Sequence, residues 1–238
     1  MNNRKKTKIV ATLGPASDKV EVMEEMILSG VDVFRINFSH AEHGEVAKRI
    51  KIIRELGEKL GSNTSILADL QGPKLRVGVV EEGTVVAPGD QITFLNGEPF
   101  VGNKERVYMN YDNFSKDVKP GERILLDDGK LIFEIISTDK KAKVKTEVIQ
   151  GGKLKSKKGV NLPNTKISLP ALTKKDVIDA EFAIKQKVDW IALSFVRNSE
   201  DILDLKKLIE KYSDHKIPII AKIEKPEGID NIDKIISY

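Results

Sequence analysis

The chain has 238 residues, 40% of them hydrophobic and 32% charged, with 40 Lys and Arg against 36 Asp and Glu for a formal net charge of +4. That composition belongs to a globular protein, and the length suits one large or two small domains with a buried core. Cys is absent, which excludes a disulfide framework, an iron–sulfur cluster and any thiolate zinc site. The longest apolar runs, such as 217–221, fall far short of the roughly 18 residues that cross a membrane. The basic opening MNNRKKTKIV leads into no apolar stretch with a cleavage site. The expectation is a soluble, cytoplasmic protein without a membrane or nucleic-acid partner. Aromatics are only 5%, and the densest basic run (Lys153, Lys155, Lys157, Lys158) reads first as a solvated face. A phosphate-bearing small molecule is its next candidate, and nucleic acid the last.

In chain order, TKIVATLG (7–14) reads as a buried strand ended by Gly14-Pro15, and Ser17 as the cap of a helix that Gly30 stops after Ser29. VDVFRINFS (31–39) is a second strand, roughly 42–60 an amphipathic helix ended by Gly61, and SILADLQ (65–71) a third strand. A βαβαβ start implies parallel strands covered by helices. From 73 to 168 the helical period gives way to recurrent turn signals such as Asn96-Gly97, Pro120-Gly121 and Asp128-Gly129, with short alternating strands between them, as at 141–149. This is the pattern of a small all-β barrel or sandwich inserted into the first domain. After Leu169-Pro170 the α/β rhythm returns. Thr173 and Asp176 form a capping-box pattern opening a helix to about Lys187, and 189–196 is a strand. Ser199 caps a helix with Ile202, Leu205, Ile209 and Tyr212 on one stripe, 217–224 is the fifth strand, and 227–237 starts another helix.

Five β/α units suit either an open doubly wound sheet or part of a barrel. A complete (β/α)8 barrel takes about 250 residues, and what lies outside 73–168 fits roughly five-eighths of one. The expected division is therefore 1–72 for the first three barrel strands, 73–168 for the inserted β domain and 169–238 for strands four and five.

Strand alternation then gathers chemistry at one rim. Arg35, Asn37 and Ser39 alternate with Phe34, Ile36 and Phe38, so all three project from one face at the carboxyl end of their strand. Asp69 and Gln71 end the third strand in the same way, and Lys222 and Glu224 share a face of the fifth. The carboxyl ends of barrel strands are where βα loops build active sites. Burying isolated charges costs several kcal/mol each, so the grouping suits either an anion held by Arg35 and Lys222 with a cation on Glu224, or an internal salt-bridge network. The insert leaves the third strand at that same rim, where a mobile domain can close over a substrate and exclude water. The sequence contains no GxxxxGK[ST] loop, protein-kinase motif set or HExxH. His43 reads as a helix-start residue and His215 as a loop residue, while His40 lies at the rim within reach of a ligand.

The segments KIVATLGPAS, RINFSHAEHG, ILADLQGPKLRVG, KKGVNLPNTKISLPALTKKD, DWIALSFVRNSED and IIAKIEKPEGI, in this order and with this insertion, resemble the pyruvate kinase family over essentially the whole chain. The resemblance implies a (β/α)8 barrel with a mobile β-domain lid, and transfer of a phosphoryl group from phosphoenolpyruvate to ADP, giving pyruvate and ATP in glycolysis. It implies that Arg35 clamps the phosphoryl group, Lys222 stabilises charge in flight, and Glu224 ligates Mg²⁺ or Mn²⁺. His40, Arg76 and Lys158 would contact the nucleotide, and Asn37, Ser39 and Asp69 would supply oxygens to a monovalent-cation site. There the chain departs from the potassium-dependent pattern DTKGPEIR. It reads DLQGPKLR, with Leu70 in place of a Thr ligand and Lys74 in place of a Glu, so the Lys74 ammonium substitutes for K⁺ and potassium is not required. The resemblance further implies that the chain stops short of a second metal-ligating Asp and the last three strands. On that reading it is a fragment, inactive alone, of a homotetrameric enzyme. The alternatives are a non-catalytic phosphate- or nucleotide-binding module and a metal-dependent pyruvate aldolase, against which the insert and KKGVNLP argue.

Overall fold

The computed structural model describes residues 6–238, except the side chain of His40; the basic opening at 1–5 lies outside the described residues. The chain forms two compact units, one of Met1–Pro73 with Pro170–Tyr238, the other of Lys74–Leu169. The first opens with β1 (Val10–Thr12), α1 (Val20–Leu28), β2 (Val33–Asn37), α2 (His43–Leu60) and β3 (Ser65–Asp69). In β2, Phe34 and Ile36 are buried while Arg35 and Asn37 stay half-exposed on the other face, as strand periodicity requires. Along α2, Val46, Ile50, Ile53 and Leu56 are buried at three- and four-residue spacing, and Gly61 closes the helix in the left-handed region at φ 61°.

The second unit contains β4 (Val85–Val86), β5 (Gln91–Leu95), β6 (Arg106–Tyr108), α3 (Phe114–Asp117), β7 (Arg123–Leu126), β8 (Leu131–Thr138), β9 (Lys143–Gln150), β10 (Gly152–Lys153) and β11 (Val160–Asn161). Its main sheet runs β11-β7-β8-β9-β5-β6, antiparallel except for β5 with β6. Arg76 bridges Gly159 beside β11 and Val77 bridges Met109 beside β6, so the stretch 76–77 joins the two outer strands. Val144, Thr146 and Val148 are buried on one face of β9. Phe94 and Phe133 meet edge to face at 5.2 Å in the core. The unit is not purely β, because Phe114–Asp117 turn as a short helix whose Phe114 is buried in that core. Beside it the Tyr111 hydroxyl bonds Asp117 and Ser168, and burial pushes Tyr111 up to about 12.

The first unit resumes with α4 (Lys174–Lys185), β12 (Trp190–Leu193), α5 (Ser199–Tyr212), β13 (Ile219–Ala221), α6 (Pro226–Asp230) and α7 (Ile232–Ile236). Its sheet runs β1-β2-β3-β12-β13, every neighbouring pair parallel. A doubly wound sheet reverses its order at a switch point; this one advances in sequence from edge to edge, the order of a singly wound barrel. Ile202, Leu205 and Ile209 of α5 are buried, with Tyr212 packed against the same core. Each such side chain contributes about 1.5–3 kcal/mol relative to exposure.

Several local expectations are corrected. Ser17 does not cap α1: Pro15–Ser17 form a 3-10 turn, the Gly14 amide donates to the Ser17 hydroxyl at 3.0 Å, and Lys19 holds the N-cap. Ser199 yields the α5 cap to Asn198, whose side chain accepts from the Asp201 amide at 3.0 Å. The capping box of Thr173 and Asp176 is formed as read, but α4 ends at Lys185 because Lys187 turns left-handed at φ 56°. The last helix breaks at Asn231, whose side-chain amide bonds the carbonyls of Arg197 and Glu227. Ser39 leaves the strand alternation, since Phe38–His40 form a 3-10 turn, and Lys222 and Glu224 lie beyond the end of β13.

Candidate active site

Register brings the charged residues of the first unit to one end of its sheet. Asn37 is opposite Asp69, Asp69 opposite Ala192, and Leu193 opposite Ala221. The Lys222 amide donates to the Leu193 carbonyl at 3.0 Å and so prolongs that pairing past β13. Asp69, with its side chain 4% exposed, is the centre of the group. Arg35 Nε donates to Asp69 Oδ2 at 2.7 Å, a second guanidinium nitrogen pairs with the same oxygen, and Nη1 donates to Thr12 Oγ1 at 2.9 Å. Lys222 Nζ lies 3.0 Å from Asp69 Oδ1, donates to Ser194 Oγ at 2.8 Å, and lies 3.5 Å from Glu224 Oε1. Ser194 Oγ in turn donates to the Leu70 carbonyl at 2.6 Å, and the Phe195 amide donates to Glu224 Oε2 at 3.1 Å.

One buried carboxylate therefore aims two cations. Arg35 and Lys222 keep 30% and 29% of their side chains exposed, so both still face solvent. Two cations held by charge-assisted bonds beside a half-exposed carboxylate can take an anionic group without reorganising. Among the oxygens assigned to a monovalent cation, both of Asp69 carry cationic nitrogens, and Asn37 Oδ1 accepts from the Ser39 amide at 3.0 Å. Leu70 at the neighbouring position is buried and apolar.

The end of β3 is fixed by close packing. A Cβ on Gly72, at φ 67°, would stand 2.8 Å from Ser194 Cβ and 2.9 Å from Phe195 Cδ2. The Gly72 amide donates to Asp176 Oδ1 at 3.0 Å, and the same fully buried carboxylate accepts from the Thr173 amide and hydroxyl. Sequence reading missed Ser194, Thr12 and this second role of Asp176. Ser194 had a usable signal, a lone hydroxyl near the carboxyl end of the stretch 189–196, whereas the partner of Asp176 lies 104 residues away.

Within the second unit, Arg76 and Lys158 come together. Arg76 Nη1 donates to the Lys157 carbonyl at 2.8 Å, and the Val77 amide donates to the Lys158 carbonyl at 3.0 Å. Lys158 Nζ lies 2.9 Å from Asp127 Oδ1, and its hydrogen bond holds the Asp127 carboxyl below the usual carboxylate range. Lys153, Lys155 and Lys157 are exposed, and Lys74 opens this unit. Of the histidines, His43 starts α2, pairs with Asp179 at 2.8 Å and stacks on Phe182 at 4.1 Å; His215 is exposed in a loop; His40 belongs to the 3-10 turn, with its side chain outside the described residues.

A model of the barrel domain of pyruvate kinase matches residues 4–238. The chain belongs to the pyruvate kinase family. Pyruvate kinase of Staphylococcus haemolyticus is 41% identical over 233 residues, which cover 98% of this chain and 40% of that protein. That of Bacillus licheniformis is 43% identical over 234 residues, with the same coverage, and that of Clostridium perfringens 40% identical over 235, covering 97% of this chain and 49% of its own. The chain thus spans between 40% and 49% of the length of these curated relatives. With the family shown, the five-stranded parallel sheet and its helices are a partial α/β barrel of the pyruvate kinase type, and the family is one of kinases. Among the described residues no helix is long and apolar enough to cross a membrane.

Proposed function

We propose that this chain carries phosphoryl-transfer residues of a pyruvate kinase, acting on phosphoenolpyruvate and ADP to give pyruvate and ATP. The observation that supports this most is the convergence of Arg35 and Lys222 on Asp69 with Glu224 alongside. In such a transfer the bond between phosphorus and the enol oxygen breaks, a bond to the terminal phosphate oxygen of ADP forms, and the released enolate takes a proton. Negative charge on the moving group is met by the Arg35 guanidinium and the Lys222 ammonium, which Asp69 and Ser194 hold in place before substrate arrives. Mg²⁺ or Mn²⁺ fits the Glu224 carboxylate, which is 37% exposed and beside Lys222, because Mg²⁺ is commonly held by one or two carboxylates together with substrate oxygens. Bound there, it would neutralise phosphoryl charge. Among the described residues no group of three or more His, Asp or Glu side chains could hold a metal, so Glu224 stands as a single carboxylate ligand from these residues.

Arg76 and Lys158 supply the nucleotide-side contacts, with His40. The unit Lys74–Leu169 is inserted between the carboxyl end of β3 and α4, which suits a lid. Potassium is not required: Asp69 is already neutralised by two cations, Leu70 offers no side-chain oxygen, and the resemblance gives Lys74 the part of the cation.

The test couples pyruvate formation to lactate dehydrogenase in the natural full-length protein containing these residues. Lys222→Met and Arg35→Met are each expected to lower kcat/KM for phosphoenolpyruvate at least a hundredfold, and rates in KCl and tetramethylammonium chloride to agree within about twofold. Absence of ADP-dependent pyruvate formation from the unaltered protein would overturn the assignment. A tenfold lower rate in tetramethylammonium would overturn potassium independence alone.

A further inference from the structure

We propose that the first turn of α4 is a positioning element for the phosphoryl-transfer rim, with Asp176 holding the end of β3 and Lys175 holding the turn after β2; the kinetic part of this rests on the function proposed above. Asp176 is fully buried, and a carboxyl group so placed demands hydrogen-bond partners. Two donors are local, the amide and hydroxyl of Thr173. The third is the Gly72 amide at 3.0 Å, three residues beyond Asp69 and in another part of the chain. Gly72 is packed against Ser194 and Phe195. Ser194 Oγ touches both the Leu70 carbonyl and Lys222 Nζ, and the Phe195 amide bonds Glu224. A shift of Gly72 therefore moves the platform on which Lys222 and Glu224 rest.

Lys175 acts on the adjacent strand end. Its Nζ donates to the Phe38 carbonyl at 2.7 Å and pairs with Asp179 Oδ2 at 2.5 Å, and Asp179 also pairs with His43. The carbonyl of Phe38 and the amide of Ser39 belong to one rigid peptide plane. Lys175 holds the carbonyl side, and Asn37 Oδ1 holds the amide side at 3.0 Å. The plane therefore cannot rotate without breaking a bond on one side, which fixes the turn carrying Ser39 immediately after Arg35 and Asn37. Neither α4 residue touches Arg35 or Lys222 in the contacts described, so both are positioning residues rather than catalytic ones. Their effect belongs in kcat more than in KM, because misplacing charge stabilisers by a fraction of an ångström is felt in the transition state.

The experiment compares the natural protein with Asp176→Asn, Lys175→Met, Lys175→Arg and, as a control on the same helix, Lys185→Met, which removes an exposed pair with Glu181. Amide hydrogen exchange is followed at Gly72, Ser39 and Ile191, and steady-state kinetics at saturating ADP. Asp176→Asn is expected to raise exchange at Gly72 about tenfold while Ile191 keeps its protection, and to lower kcat about tenfold with KM for phosphoenolpyruvate within twofold, the equivalent of about 1.4 kcal/mol in the barrier. Lys175→Met is expected to loosen Ser39 and lower kcat in the same way, Lys175→Arg to restore both, and Lys185→Met to change neither. Protection at Gly72 and Ser39 retained together with unchanged kcat, whatever the melting temperature does, would overturn the proposal. If Asp176→Asn does not fold, the Lys175 pair decides. If the natural protein makes no pyruvate, the functional reading fails by itself, and exchange at Gly72 and Ser39 still decides whether α4 holds the rim.

Discussion

Replacing Asp69 by Asn tests whether one carboxylate holds the site together. The substitution keeps the shape, removes the charge, and leaves Arg35 and Lys222 facing each other across a neutral amide. Each nitrogen is about 3 Å from a carboxylate oxygen, so the gross attraction at an effective dielectric constant of 20 is about 5.5 kcal/mol per pair. Desolvation cancels much of it, and removing one partner of a buried pair costs about 3–5 kcal/mol in practice. Here Arg35 and Lys222 retain roughly a third of their exposure and water recovers part of the loss, so about 2–3 kcal/mol is expected. Trp190, the only Trp, sits in β12 opposite Leu67 of β3, and its emission reports unfolding of the first unit. With a urea slope of about 2 kcal/mol per molar, the midpoint should fall by about 1–1.5 M. A double-mutant cycle with Lys222→Met should show a coupling of about 1–2 kcal/mol. A midpoint shift below about 0.2 M, or additivity within about 0.3 kcal/mol in the cycle, would refute the claim that Asp69 binds the two cations together.

Gly72→Ala should cost about 2–4 kcal/mol by the same Trp190 probe, since a Cβ meets Ser194 and Phe195 below 3 Å at positive φ. Gly61→Ala, at φ 61° with nothing within 4 Å, should cost only about 1 kcal/mol; equal losses at the two positions would remove the packing argument. In the second unit, Tyr111 has a folded pKa raised from 10.0 to about 12, first by burial and then by its bond to Asp117. The phenol therefore contributes stability that is fully present below about pH 10 and is lost as pH rises through 12. Tyr111→Phe should be less stable than the natural protein at pH 7 to 9 by urea titration with circular dichroism, and the gap should narrow between pH 10 and 12; a constant gap would contradict this.

Local pattern determined a good deal of this protein. The alternation of Arg35 and Asn37 with Phe34 and Ile36, the capping box at Thr173 and Asp176, and the stripe through Ile202, Leu205 and Ile209 are properties of a few consecutive residues, and the structure keeps them. The ordered motifs also pointed to the family that comparison then showed. Element ends were less legible: Ser17 and Ser199 are good caps by type, yet a proline-led turn and the longer reach of Asn198 displaced them. The site itself was legible only as a set of residues near one rim. That Arg35 and Lys222 share Asp69 depends on partners 34 and 153 residues apart, and the bond from Gly72 to Asp176 on one of 104. Periodicity assigns a side chain to a face, but it carries no information on which strands are neighbours. The sheet order β1-β2-β3-β12-β13 and its parallel register decide that for Arg35, Asp69 and Lys222, while the seating of the first turn of α4 beside the end of β3 decides it for Gly72 and Asp176.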